Sequence, residues 1–273
     1  SSEIKLAAKA ATETSVNFSS PHPHLWNGLA DPFVDQTTVE LVNRNGKTVD
    51  SVVQPLGLRS FEVTPDQGFF LNGAHVPLHG VNRHQDWPDK GWAISTNNMK
   101  TDLRIMREMG VNAVRLCHYQ QAQYFYDLCD HAGIAVWAEL CFVNNPPQTQ
   151  AGRDNAKQQL IELIRQNYNH PSIFFWSIGN ETWERPGSHA AENLFKQLAA
   201  VVRKEDPSRV STYASNHGLN DPRNFIPDVI AFNKYFGWYL GEFNQFGKFL
   251  DDFHAANPQL PVGVSEYGAG ASI

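Results

Sequence analysis

The pattern of apolar and polar residues changes character once along the chain. In the first part, residues 38–42 and 48–53 each alternate polar with apolar side chains, and a turn signal separates them. Such alternation predicts two half-buried strands joined as a hairpin. Two more strands are predicted at residues 3–9 and 15–19. Residues 1–63 are therefore predicted to form a partial immunoglobulin-like β-sandwich, with fewer than the roughly seven strands of a complete one.

In the second part, short apolar runs alternate with longer segments of helical spacing, an order typical of parallel βα units. Strands are predicted at residues 76–81, 111–116, 134–138, 172–178, 210–214, 229–232 and 261–265. Because a (β/α)8 TIM-type barrel has eight such units, residues 64–273 are predicted to form an α/β barrel that lacks its last βα unit. A doubly wound sheet is the competing interpretation, but Gly80-Val-Asn-Arg-His84 after the first strand is not a glycine-rich phosphate loop.

Charge and composition narrow the classes of partner. The chain has 22 Lys and Arg against 28 Asp and Glu, a net charge of −6, which argues against nucleic-acid binding. No apolar run reaches the roughly 18 residues that span a bilayer, so no membrane partner is predicted. Three cysteines do not make a disulfide framework. The start resembles a truncated N-terminus, which leaves the cytoplasm and the periplasm both open, and a homo-oligomer is compatible with the sequence.

Polar side chains follow every predicted barrel strand. In a βα barrel the carboxyl ends of the strands carry the chemistry, so groups contributed by seven strands are predicted to meet at one rim. A single such residue is more often structural, but this convergence favours an active site. The groups are Asn82, Arg83 and His84; Arg115, Cys117, His118 and Tyr119; Glu139; Asn180 and Glu181; Asn216 and His217; Asn233, Lys234 and Tyr235; Glu266 and Tyr267.

Two carboxylates at this rim, Glu181 and Glu266, are far apart in sequence but follow the fourth and seventh strands, which face each other across the mouth. Paired carboxylates suit glycoside hydrolysis: one protonates the leaving oxygen and the other attacks the anomeric carbon, about 5–5.5 Å apart in retaining enzymes. The alternative is that Glu266 forms a structural ion pair with Arg115 or Arg83. Neutral hydrogen-bonding groups after neighbouring strands favour the catalytic interpretation.

A metal hydrolase is the rival enzyme class. His84, His118 and Glu139 follow neighbouring strands and could ligate zinc. The sequence has no H-E-x-x-H motif, and its H-x-H pair, His22 and His24, lies in the predicted β region. No catalytic metal and no cofactor are therefore predicted.

Several blocks of sequence resemble glycoside hydrolase family 2, and together they cover essentially the whole chain. The blocks that resemble its signatures are Asn112-Ala-Val-Arg115 with His118-Tyr119 and Asp130-His-Ala-Gly133, then Asn169-His-Pro-Ser-Ile-Phe-Phe-Trp-Ser-Ile-Gly-Asn-Glu181, Gly80-Val-Asn-Arg-His84 and Ser265-Glu-Tyr-Gly268. The resemblance implies a TIM-barrel catalytic domain after a β-sandwich. It also implies a retaining exo-enzyme of the kind that includes β-galactosidases, β-glucuronidases and β-mannosidases.

The resemblance further implies roles for the residues at the centre of the site. Glu181 would be the acid/base and Glu266 the nucleophile. Asn180 would hold the sugar 2-hydroxyl, and Tyr235 would bond the nucleophile. Arg115 would orient Glu266 and keep it ionised.

Four further positions match residues that surround the sugar. His84 and His118 would contact sugar hydroxyls, while Glu139 and Trp238 match positions at the rim. The Glu-x-His magnesium pair of a well-known β-galactosidase is replaced by Val143 and Asn145, which puts that magnesium site in doubt.

The substrate implied by the resemblance is a terminal β-D-galactoside. Residues 233–239 and 265–272 look most like the corresponding blocks of β-galactosidases. β-Glucuronidase is the alternative because it has a similar block at residues 235–239, while its Asn-x-Lys carboxylate clamp would lie beyond Ile273. The second alternative is of another class, a catalytically inactive structural fragment of such an enzyme.

Overall fold

A computed structural model of the chain describes residues 3–5, 9–184 and 187–270. In this part of the chain, a group of antiparallel strands precedes a parallel barrel. The antiparallel strands are β1 (Asp35–Val42), β2 (Thr48–Leu56), β3 (Phe61–Thr64), β4 (Gly68–Leu71) and β5 (Ala74–His75). The barrel strands are β6 (Gly80–Arg83), β7 (Ala113–Leu116), β8 (Ala135–Glu139), β9 (Ile173–Asn180), β10 (Val210–Ser215), β11 (Val229–Asn233) and β12 (Val262–Glu266). The helices are α1 (Thr96–Glu108), α2 (Gln123–Ala132), α3 (Gln150–Asn167), α4 (Ala190–Glu205) and α5 (Gln245–Ala256).

The antiparallel region is smaller than predicted. The predicted hairpin is confirmed, because β1 pairs with β2 in antiparallel register. The strand predicted at residues 15–19 is wrong: this segment is exposed and has no regular structure. β1 is exposed at nearly every position, so no second sheet packs on it within the described residues. Of the strand predicted at residues 3–9, residues 6–8 lie outside the described part, and residues 3–5 are not in a strand.

The parallel barrel confirms the predicted fold class. Within the described residues, β6 to β12 follow one another in chain order, each parallel to its neighbour. The Nδ2 group of Asn82 in β6 donates to the carbonyl of Ser265 in β12, at 3.0 Å. This contact between the two edge strands brings the seven-stranded barrel close to closure. The described part contains no helix that is both long and apolar enough to span a membrane.

The first barrel strand begins later than predicted. Val76 and Leu78 contribute to an apolar run, but they pack on a second core at the amino ends of the strands, and β6 starts only at Gly80. The run is therefore apolar because it covers the base of the barrel. The three-stranded sheet β3–β5 supplies Phe69 and Leu71 to the same core, although it crosses the predicted domain boundary at residue 64. That boundary stays a prediction.

Buried side chains close the base of the barrel, at the amino ends of its strands, and leave the opposite face open. All eight residues of β9 are buried, as expected of a central parallel strand covered on both faces. Below the strands, Trp26 is fully buried and its Nε1 donates to the Asp130 carbonyl at 2.8 Å. Arg59 donates from Nη2 to the Ile173 carbonyl at 2.7 Å. The base is thus held by packing and by hydrogen bonds to the backbone.

Two glycines allow a matched test of how tightly this base is packed. Gly133 has φ +72°, and a Cβ there would lie 2.2 Å from the Gly28 carbonyl oxygen. Gly110 has φ +75°, but a Cβ would meet nothing within 4 Å. We expect Gly110→Ala to cost about 1 kcal/mol, the backbone strain alone. Gly133→Ala should cost clearly more, measured by urea unfolding, and equal losses would contradict the packing described here.

Candidate active site

A cavity of about 480 Å³ opens at the carboxyl ends of the barrel strands. It brings together side chains that are distant in sequence, as the convergence of polar strand ends predicts. Its lining consists of His118, Val143, Asn144, Asn180, Glu181, Asn216, Asn233, Lys234, Tyr235, Tyr239, Leu240 and Glu266. Both of the predicted carboxylates therefore face the same cavity.

Glu266, the last residue of β12, is held at both of its carboxylate oxygens. Arg115 donates from Nη1 to Oε1 at 2.5 Å, and the Tyr235 hydroxyl donates to Oε2. His118 Nε2 lies 4.0 Å from Oε1. Burial, together with the contact to Glu266, raises the pKa of Tyr235, so the phenol remains a hydrogen-bond donor at neutral pH. Glu266 therefore does form the ion pair with Arg115, but it forms it at the cavity, where Arg115 positions the Glu266 carboxylate.

Glu181 follows β9 directly and turns out of the strand with φ +47°. The Nδ2 group of Asn233 donates to Glu181 Oε1 at 2.8 Å and to Asn180 Oδ1 at 3.1 Å. The Ser265 hydroxyl donates to Asn233 Oδ1 at 2.6 Å. Asn233 thus joins the strand ends that carry the two carboxylates. The sequence places it among the polar residues of the rim but does not single it out.

Arg115 is the centre of a buried network beneath the cavity. Its Nε and Nη2 groups donate to Glu139 at 3.0 and 2.9 Å, and Nη2 also donates to Asn180 Oδ1 at 2.8 Å. His118 Nδ1 lies 2.7 Å from Glu139 Oε1. The Ser177 hydroxyl donates to Glu139 Oε2 at 3.0 Å. This network explains why a charged pair can be stable inside the barrel, since buried charges need partners.

The placement of Glu139 at the rim is wrong, because its side chain is 0% exposed. The physical reason is Arg115, which needs a buried counter-charge below the cavity. Burial by itself would raise the pKa of Glu139, but the positive charge of Arg115 and the hydrogen bond from His118 outweigh it, and the pKa is lowered from its usual 4.5. Glu139 supports the site from below through Arg115 and His118.

The lowered pKa of Glu139 predicts a pH dependence of stability. A depressed carboxyl pKa contributes stability that is present above the usual value of 4.5 and is lost as the pH falls through the lower, folded-state value. We expect Glu139→Gln to be less stable than the native chain at neutral pH and to lose less stability on acidification. Urea unfolding at several pH values measures both, and parallel pH profiles would contradict this prediction.

The remaining predicted site residues lie around the opening. His118 lines the cavity, and the exposed His84 stands beside it with the ring centroids 5.2 Å apart. Partial burial of the ring among its neighbours, then the proximity of His118, lowers the pKa of His84, although the residue as a whole is exposed. Trp238 is 45% exposed and stacks on Tyr239 at 3.8 Å, with its ring 5.5 Å from that of Tyr235. Trp238 itself does not line the cavity, but it packs against Tyr235 and Tyr239, which do.

Comparison with known proteins gives the family. The model described as "Glycosyl hydrolases family 2, TIM barrel domain" matches residues 61–272. A protein of Bacteroides fragilis named β-glucuronidase is 51% identical over 258 residues, which are 92% of this chain and 36% of that protein. The β-galactosidase large subunit of Lactobacillus acidophilus is 32% identical, over 93% of this chain and 41% of its own length.

A solved structure agrees in fold. Bacteroides uniformis β-glucuronidase 2, covalently bound to cyclophellitol-6-carboxylate aziridine, aligns with a TM-score of 0.86 at 33% identity. The alignment covers 92% of this chain and 32% of that one. The chain thus spans about a third of the length of such proteins. Its barrel, its paired cavity carboxylates and the match over residues 61–272 lead to one conclusion: this chain belongs to glycoside hydrolase family 2.

Proposed function

We propose that the chain carries the catalytic centre of a retaining exo-β-glucuronidase. The observation that carries this proposal is that Glu181 and Glu266 line one cavity in different surroundings. Glu266 contacts a guanidinium and a phenol, whereas Glu181 accepts a hydrogen bond from a neutral amide. Carboxylates in unlike environments are suited to different roles in acid and nucleophilic catalysis.

In the proposed mechanism, Glu181 protonates the glycosidic oxygen while Glu266 attacks the anomeric carbon. A covalent glycosyl-enzyme forms and the leaving group departs with the proton. Glu181, now a carboxylate, takes a proton from water, and the resulting attack on the anomeric carbon releases the sugar and frees Glu266. Arg115 and Tyr235 hold one oxygen of Glu266 each, so the carboxylate enters the reaction in a fixed orientation.

Two neighbours of the carboxylates are proposed to bind the sugar. The oxygen of the Asn180 side chain accepts from both Arg115 and Asn233, which fixes the orientation of the amide. Its Nδ2 group is therefore available to donate to a sugar hydroxyl. His118, held at Nδ1 by Glu139, presents Nε2 toward Glu266 and the cavity. His84 and Trp238 extend this surface at the opening.

The choice of glucuronide over galactoside follows the degree of identity. The relative that is 51% identical is named β-glucuronidase, whereas the β-galactosidase subunit is 32% identical. The comparisons therefore favour the alternative over the galactoside expected from residues 233–239 and 265–272. β-Galactosidase remains the second candidate because of those blocks and that relative.

The two substrates can be separated directly with nitrophenyl β-D-glucuronide and nitrophenyl β-D-galactoside. We expect kcat/KM to favour the glucuronide by at least about tenfold, a difference of about 1.4 kcal/mol in transition-state binding. A higher value for the galactoside would establish the second candidate. Release from neither substrate by folded protein would support a structural fragment without activity of its own.

A further inference from the structure

A thiol and two imidazoles converge at the carboxyl ends of β6 and β7, where one of them, His118, lines the cavity. The sulfur of Cys117 and one nitrogen each of His84 and His118 lie within 4.8 Å of one another. Cys117 and His118 follow β7 directly, and His84 follows β6. Because parallel neighbouring strands end at the same rim, the fold itself brings these three residues together. The proposed hydrolysis gives Cys117 no role.

The imidazole of His118 is oriented as in protein zinc sites. Its Nδ1 lies 2.7 Å from Glu139 Oε1 and 3.1 Å from Arg115 Nη2. The shorter contact is to a carboxylate, which only accepts, so Nδ1 carries the proton and Nε2 presents its lone pair to the cavity. A carboxylate that fixes a histidine in this way is the usual outer-shell partner of a metal-ligating imidazole.

Distances and charge also suit a cation here. Zinc bonds of about 2.3 Å to sulfur and 2.0–2.1 Å to nitrogen place tetrahedral ligand atoms roughly 3.5 Å apart. The cluster therefore has to contract by about 1 Å, which the exposed ring of His84 allows. Glu266 Oε1 lies 4.0 Å from His118 Nε2 but is bonded to Arg115 and does not belong to the three-residue cluster, so water would be the fourth ligand. Glu139 and Glu266 together outweigh the single positive charge of Arg115.

We propose that Cys117, His84 and His118 form an inhibitory site for a thiophilic divalent cation such as Zn²⁺, with water as the fourth ligand. On binding, the thiol gives its proton to solvent and the sulfur bonds the metal. The ion then occupies the His118 nitrogen proposed to bind the sugar and places a positive charge close to Glu266. The inhibitory consequence rests on the proposed function, whereas binding itself does not. Mg²⁺ should not compete, because it prefers oxygen ligands.

Cobalt titration tests the binding, since Co²⁺ reports thiolate ligation through a charge-transfer band. We expect the 273-residue chain to give this band and Zn²⁺ to abolish it. Cys117→Ser should lose the band. Its affinity for Zn²⁺ should fall by more than the roughly 10–100-fold that replacement of an outer-shell residue causes. His84→Asn, at an exposed position, should weaken binding without affecting the fold. Cys141→Ser is the matched control because Cys141 is the exposed thiol after β8, and its band should be unchanged.

A band that persists in Cys117→Ser, that disappears in Cys141→Ser, or that never forms would overturn the proposed site. Where the protein hydrolyses a nitrophenyl glycoside, Zn²⁺ should inhibit the native chain and Cys141→Ser, and should spare Cys117→Ser. Inhibition of Cys117→Ser equal to that of the native chain would overturn the inhibitory role. Absence of turnover without any metal would count against the proposed hydrolase activity alone, because the cobalt band is measured independently.

Discussion

Glu266→Gln is expected to lower kcat by on the order of 10⁴-fold or more, the scale of loss when a hydrolase loses its covalent nucleophile. The amide keeps the size of the side chain and can still bond Tyr235, but it cannot attack the anomeric carbon. It also brings an uncharged group to Arg115, so the guanidinium keeps only the charge of Glu139 as counter-ion. Steady-state hydrolysis of the preferred nitrophenyl glycoside measures the effect.

Glu242→Gln is the matched control for this substitution. Glu242 is an exposed glutamate between β11 and α5, outside the cavity lining, so the same chemical change should leave kcat unaltered. Thermal unfolding should show that both variants are folded. If Glu266→Gln turned over substrate within tenfold of the native protein, Glu266 would not be the nucleophile.

Arg115→Met is expected to lower the free energy of unfolding by on the order of 3–5 kcal/mol, the range seen when one partner of a buried ion pair is removed. The substitution leaves Glu139 fully buried without its counter-charge, and Glu266 and Asn180 lose a common donor. The double variant Arg115→Met with Glu139→Gln should recover part of the loss, because no buried charge is then left alone. Urea unfolding measures each variant.

Arg165→Met provides the control for the arginine substitution. Arg165 also forms an ion pair, with Glu205 at 2.7 Å, but its side chain is 67% exposed. Exposed pairs contribute little because water screens them, so this variant should unfold almost as the native chain does. Equal losses from Arg115→Met and Arg165→Met would show that the network beneath the cavity has no special part in stability.

The parallel barrel was predictable because each of its elements leaves a local signal. Apolar runs buried on both faces mark strands such as β9, and Ser95 with Asn98 forms the capping box that starts α1. Helix ends are marked by glycines in the left-handed region, as at Gly133. The exception, residues 76–81, shows the limit: an apolar run indicates burial, and here the burial belongs to the base of the barrel as well as to β6.

The site was predictable only in part, because its finer contacts join distant segments. Polar residues at strand ends identify the rim, and the resemblance identifies the two carboxylates. Nothing local to Glu139 distinguishes a rim residue from a buried one; the difference arises from Arg115, which arrives from the neighbouring strand. The link through Asn233 likewise depends on the register of β11 against its neighbours. Such contacts are properties of the folded barrel.

Covalent labelling can show whether Glu266 attacks a glucuronide-configured sugar. Cyclophellitol-6-carboxylate aziridine, the compound bound covalently in the Bacteroides uniformis enzyme, would be reacted with the chain, and the modified peptide identified by mass spectrometry. We predict one adduct, on Glu266, that is absent from Glu266→Gln and retained in Glu242→Gln. An adduct on Glu181, or labelling by the galactose-configured aziridine alone, would contradict it.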